Sequence, residues 1–256
     1  IYNNAVRGLY VADAASSDLV LEHNTFYGTV GDADYDQDYA VESHGDNPTV
    51  RENVAYHVGN RSGYGMYFYD ISDGEFTDNT VYNNWHTGLS ISGSQMTVTG
   101  NVLYDNGTGL SLDDTHGGQY SDVAENEIYG NTTGIRSNGY EDIHHNDVHD
   151  NTGNGIDSAY YDWRRVHHNE VYCNNTGILL RAGEAYDNRV WGNVNIGMQA
   201  NYKGVYFDRN VIYGNKYGLY ISADHDFVVV RNNLIYDNTI RGIELDGAMY
   251  YGSGVE

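Results

Sequence analysis

Asn79-Thr-Val-Tyr-Asn-Asn-Trp-His-Thr-Gly-Leu-Ser-Ile91 decides the fold. Reduced to a pattern it reads Asn-x-apolar-Tyr-x-Asn-x-x-x-Gly-apolar-x-apolar. The pattern returns at Asn101–Leu112, Asn210–Ile221 and Asn233–Leu245, and the sequence opens inside another copy at Ile1–Leu9. A short unit recurring along a whole chain signals a solenoid. The aromatic position fixes the register: Tyr2, Tyr27, Tyr56, Tyr82, Tyr104, Tyr129, His149, Tyr172, Trp191, Tyr213 and Tyr236, about 23 residues apart on average.

The type of solenoid follows from the residues between. The frame of a leucine-rich repeat is absent, and no long segment carries a 3.6-residue apolar period. Apolar residues around Ser90, Ser111 and Glu244 alternate in and out, which is the strand period. Short strands between Asn and Gly turns describe an all-β fold, a right-handed parallel β-helix of about eleven coils. At about 4.8 Å per coil the rod is about 50 Å long. The reading is one β-helix domain over residues 1–256 and, because the chain starts in mid-repeat without a polar cap, a fragment of a longer protein.

Two asparagine series run along the repeats. The first is Asn24, Asn53, Asn79, Asn101, Asn126, Asn146, Asn169, Asn188, Asn210 and Asn233; the second is Asn4, Asn84, Asn106, Asn131, Asn151, Asn174, Asn193, Asn215 and Asn238. Asn tolerates left-handed backbone at a tight bend, and stacked amides can bond along the axis. The Gly before the second apolar pair, as at Gly88 and Gly155, is expected to supply a corner with positive φ.

The formal charge is −23, from 36 acidic and 13 basic residues. No basic stripe exists to release counterions, so nucleic acid is excluded as a partner, and an anionic membrane surface with it. No apolar run is long enough to span a bilayer. The single cysteine, Cys173, allows no internal disulfide and reads as an inert thiol. An acidic, lysine-poor surface suits high salt as well as ordinary solubility.

Two adjacent coils break the rule. The segment Gly28–Tyr39 is an insertion, the next coil is long at Gly59–Gly65, and both lose the second Asn. Function on a repeat scaffold sits where the repeat is disturbed. Alternation places one outward face: Tyr10, then Glu42 and His44, Tyr67 and Tyr69, Ser90 and Ser92, Ser111 and Asp113, Arg136, Asp157, Leu179, Gln199, Tyr220 and Glu244. Its first third is aromatic, with a carboxylate and an imidazole, which suits the apolar faces and hydroxyl edges of sugar rings. Asp32, Asp34, Asp36 and Asp38 alternate in the inserted loop, an oxygen-rich spacing that suits Ca²⁺. His144-His145 and His167-His168 fill the same slots in successive coils, about 5 Å apart. Two imidazoles there suit a transition metal, but no third ligand is evident, so they read as stacked surface histidines. Among four Asn-x-Ser/Thr sequons only Asn60, in a loop, is expected to be accessible.

The repeats resemble the parallel β-helix superfamily of carbohydrate-binding proteins and sugar hydrolases. Tyr39-Ala-Val-Glu-Ser-His44 is similar to the Tyr-Gly-Phe-Asp-Pro-His motif of mannuronan C-5 epimerases, departing from it at Ala40, Val41, Glu42 and Ser43. The resemblance implies catalytic roles for Tyr39, Glu42 and His44, and it puts His86 near where that family has an Arg. No lysine lies near the preceding coil. Tyr10, Tyr67, Tyr69 and His86 are the expected substrate contacts. Two functions follow: an extracellular or cell-surface protein that binds and modifies a polysaccharide or surface glycan, or a non-catalytic structural, adhesin or fibre module.

Overall fold

The computed structural model describes residues 1–2, 4, 6–12, 18–28, 37–45, 47–59, 63–114, 120–158, 164–201, 204–222 and 227–246. All regular structure among them is β. Thirty-one strands form three parallel sheets. The first sheet has eleven strands, from Arg7–Val11 to Arg241–Leu245. The second runs from Val20–Glu22 to Val228–Arg231 and the third from Thr25–Tyr27 to Leu234–Tyr236, each with ten strands. Successive strands of the chain visit the three sheets in turn, so each coil hydrogen-bonds only to the coils before and after. No helix among the described residues is long and apolar enough to cross a membrane.

Short strands close on a narrow core. The central residue of almost every three-residue strand is fully buried, as with Phe26, Val50, Phe76, Val81, Leu103, Val148 and Val190. The first sheet adds Val41, Met66, Phe68, Leu89, Leu110 and Ile156. Outside, the aromatic series of the third sheet stacks ring on ring from Tyr2 to Tyr236; Tyr82 and Tyr104, for example, lie 4.7 Å apart and nearly parallel.

The asparagines run inside the two corners that flank the third sheet. Each Oδ1 accepts from the backbone N–H and the side-chain N–H of the asparagine one coil earlier, as from Asn84 to Asn106 to Asn131. Nearly all members are buried, including Asn106, Asn131 and Asn174, whose sequons are thereby inaccessible. Asn60 lies outside the described residues.

Where the sequence loses its asparagines the series is bridged in one coil and interrupted in the next. In the Tyr27 coil the buried Gln37 stands in: its Oε1 accepts from Asn4 N and its Nε2 donates to Tyr39 O. In the next coil the apolar Val58 takes the slot, and only its backbone N–H bonds, to Asn84 Oδ1.

Two expectations about the corners are corrected. The left-handed residue is the one before each asparagine, such as Asp78, Asn83, Asp105, His145, His168 and Cys173, all with φ near 54°. The glycines at Gly88 and Gly155 do not take positive φ. They are required by close approach: a Cβ on Gly155 would sit 2.7 Å from Gly177 O and 2.8 Å from Asn174 Nδ2. Coils about 4.8 Å apart leave no room for a methyl at that corner.

Candidate functional site

The first sheet carries the outward face in the order expected from alternation. Backbone register aligns Tyr10 with Glu42, Glu42 with Tyr67, and His44 with Tyr69. The row continues through Ser90, Ser111, Arg136, Asp157, Leu179, Gln199, Tyr220 and Glu244. In the strand Tyr39–His44, Val41 and Ser43 point inward while Glu42 and His44 point to the face.

Most of the expected residues converge there. Tyr39 stacks on Tyr64 with ring centres 5.3 Å apart. Tyr67 lies 5.6 Å from Tyr39, 5.2 Å from Tyr64 and 5.7 Å from Tyr69. Beyond Tyr64 comes His86 at 4.5 Å, its Nδ1 2.9 Å from Thr87 Oγ1. At the opposite edge Tyr10 meets His44 edge-on at 5.9 Å, and His44 packs on Tyr69. Five tyrosines and the His86 imidazole thus form one surface over four coils.

Glu42 and His44 sit beneath that surface. Glu42 is only 7% exposed, and its Oε2 accepts from Arg7 Nε. His44 Nε2 is 3.5 Å from Glu42 Oε1, within ion-pair range but not aligned for a hydrogen bond. Among the described residues that buried nitrogen makes none. Arg7 closes the group from above, its guanidinium 4.5 Å from the Tyr10 ring centre and 5.8 Å from that of Tyr39.

Two of these residues escape the sequence reading. Arg7 is the cation that pairs with Glu42 from the preceding coil. Tyr64 completes the aromatic floor. Both stand two residues before an inward position, Leu9 and Met66, in register with Tyr39. An alternation counted only from the Gly onward leaves that column unassigned, and counting back two residues would have found it.

Protonation states follow from the surroundings. Loss of solvent pushes the phenols of Tyr39, Tyr64 and Tyr67 up, and the negative charge of Glu42 adds to this at Tyr39 and Tyr67. The His86 imidazole is pushed down, first by desolvation and then by the positive charge of Arg136. At neutral pH the surface therefore presents protonated hydroxyls, which donate and accept hydrogen bonds, beside a neutral imidazole with a basic nitrogen.

The expected Ca²⁺ loop falls mostly outside the described residues, which exclude Asp32, Asp34 and Asp36. Asp38 is described: its backbone N–H donates to Val6 O at 2.8 Å and its carbonyl accepts from Tyr64 N at 2.8 Å. Among the described residues no group of three or more His, Cys, Asp or Glu could hold a metal ion.

No curated protein matches the chain in sequence. Solved structures do match in fold. The A-module of the Azotobacter vinelandii mannuronan C-5 epimerase AlgE4 superposes with a TM-score of 0.61 at 14% identity, over 100% of this chain and 75% of that one. A double mutant of the periplasmic alginate epimerase AlgG gives 0.56 at 15% identity, over 91% and 73%. The A-module of the Azotobacter vinelandii mannuronan C-5 epimerase AlgE6 gives 0.52 at 12% identity, over 97% and 76%. The family model described as right handed beta helix region matches residues 1–135 and 115–251, almost the whole sequence, and the chain belongs to that family.

Proposed function

We propose that the N-terminal part of the first sheet is a polysaccharide-binding face. The observation that carries this is the cluster of Tyr10, Tyr39, Tyr64, Tyr67 and Tyr69 on one side of one sheet, with ring centres from Tyr39 to Tyr69 between 5.2 and 5.7 Å apart. Such a surface offers flat apolar area to sugar C–H faces and hydroxyls at its rim. Tyr10 is 49% exposed, whereas Glu42 and His44 are largely covered and locked to neighbours. The exposed groups are therefore those that grip a ring, with Glu42 and His44 packed beneath them. The fold shared with alginate epimerases fits a glycan ligand and an extracellular or periplasmic setting.

Calorimetric titration of the chain with an alginate, a neutral glucan and a mannan tests this. Replacing Tyr67 and Tyr69 together by Ala removes two rings, each contributing about 0.5–1.5 kcal/mol beyond its area. Affinity is expected to fall about tenfold or more while the melting temperature stays close to that of the wild type. Unchanged affinity, or no binding to any of the three, contradicts the reading.

A second reading, turnover of a uronan, rests on the pairing of a neutral imidazole at His86 with protonated phenols at Tyr64 and Tyr67. Exchange at a sugar C-5 needs a base on one face of the ring and a proton donor on the other. Arg136, whose charge acts on both Tyr64 and His86, is the cation on that side of the face that an acidic sugar would meet. Proton NMR of alginate incubated with the protein separates the two readings: new guluronate or unsaturated-end signals, lost in His86→Gln with binding retained, support turnover. An unchanged spectrum leaves a binding face without chemistry.

A further inference from the structure

The second sheet carries an arrangement that glycan binding does not use. His144 and His145 sit in one coil, His167 and His168 in the next. On a regular strand, neighbouring side chains point to opposite faces. Here the left-handed backbone at His145 and His168, φ 54° in both, turns the corner and brings each pair to the same side. The Nδ1 atoms then face each other, 2.8 Å apart in the first pair and 2.9 Å in the second. His144 stacks over His167 at 5.0 Å and His145 over His168 at 5.1 Å. Each inner imidazole is held from behind by a carboxylate: His144 Nε2 lies 2.8 Å from Asp122 Oδ1, and His167 Nε2 lies 2.8 Å from Asp142 Oδ1.

This geometry sets the chemistry. A carboxylate on Nε2 fixes the proton there, as it does in metal-bound imidazoles, and leaves the Nδ1 lone pair directed at the neighbouring imidazole. The outer imidazole is exposed, so its proton can move to Nε2 and be received by water, freeing a second Nδ1 lone pair beside the first. Two nitrogens about 2.0–2.1 Å from one ion are about 2.9 Å apart at a right angle and about 3.3 Å apart in a tetrahedron. In the metal-free chain these separations are those of a hydrogen bond between the two rings; an ion that displaces its proton finds the two nitrogens already near the right-angle separation, which tetragonal Cu²⁺ and Ni²⁺ prefer and Zn²⁺ does not.

We propose that each of these two coils chelates one Cu²⁺ or Ni²⁺ ion through its paired Nδ1 atoms, His144 with His145 and His167 with His168, solvent completing the coordination. Among the described residues no third His, Cys, Asp or Glu joins either pair, which argues against a closed structural zinc site and fits an open two-nitrogen chelate.

Titration with CuCl₂ of the chain freed of metal by chelator, read by electron paramagnetic resonance, tests this. The expected result is an axial Cu²⁺ signal with imidazole nitrogen coupling and two ions per chain. A half-field transition should appear as the second site fills, because the ions would stand about one coil spacing apart. Asn tolerates the left-handed position, so His145→Asn should keep the fold and lower the stoichiometry to one ion. His145→Asn with His168→Asn should abolish binding at these sites, with an unchanged melting temperature as control. Nitrogen coupling and stoichiometry unaffected by the double replacement would overturn the assignment. So would loss of both ions on replacing His145 alone, or binding no stronger than that of a surface carboxylate.

Discussion

Asn106 shows what one residue does in this architecture. Its Oδ1 accepts from the backbone and side chain of Asn84, and its Nδ2 hydrogens are shared among Val81 O, Tyr104 O and Asn131 Oδ1. Asn106→Ala leaves those buried partners unsatisfied and is expected to cost about 1–3 kcal/mol, read as a lower denaturant midpoint. An unchanged midpoint would mean that the asparagine series does not carry stability. The glycines supply a paired comparison. Gly155→Ala drives a methyl to 2.7 Å from Gly177 O, whereas at Gly242 the nearest atom, Ile235 Cγ2, is 3.5 Å away. Gly155→Ala should destabilise by about 1–3 kcal/mol and Gly242→Ala should be close to neutral. Equal effects would contradict the close-approach account. At this scale the asparagines were legible in the sequence because their spacing repeats. The role of the glycines was not, because a demand for positive φ and a demand for no Cβ select the same residue. Gln37 was not legible either, since its longer side chain fills the slot from a different position in an irregular coil.

At the scale of the strand, the candidate face rests on a period of two. Alternation put Glu42, His44, Tyr67 and Tyr69 on one side, and the register agrees. It could not show that Glu42 and His44 lie under the rings. That depends on Arg7 and Tyr64, which reach the face from the first residue of their strands. Arg7→Gln removes the Glu42 ion pair while keeping much of the side chain. It is expected to destabilise the fold and weaken glycan binding together, whereas Tyr67→Ala should weaken binding alone; parallel melting and titration curves distinguish the two. The imidazole of His86 gives a pH signature. Its affinity for protons is lower in the folded state, so below about pH 6.5 the unfolded chain binds more protons and stability falls with pH. The effect is small because the ring is exposed. His86→Gln should flatten the dependence of the melting midpoint between pH 7.5 and pH 5.5. An identical slope in the variant would contradict the assigned shift.

Over the whole molecule, sequence and structure agree on the solenoid because nearly every coil repeats the same solution: a buried central residue per short strand, an amide at each corner flanking the third sheet and a stacked ring outside. The site was less legible than the scaffold because it occupies the coils where the repeat fails. The charge of −23 is spread along a thin rod, and its self-repulsion is screened by salt. The melting temperature should therefore rise between about 0.01 M and 1 M NaCl, where the screening length falls from about 30 Å to about 3 Å. A flat or falling curve would show that local pairs such as Arg209 with Asp187 outweigh the net repulsion.

The central claim concerns where a glycan lies, and the molecule contains its own control, since tyrosines line both the first sheet and the stacked column of the third. Hydroxyl-radical footprinting with and without polysaccharide, read by mass spectrometry, compares them directly. The account predicts protection of Tyr10, Tyr67 and Tyr69, with Tyr82, Tyr104 and Tyr129 unchanged. Protection confined to Tyr82, Tyr104 and Tyr129, or none at Tyr67 under saturating ligand, would contradict it.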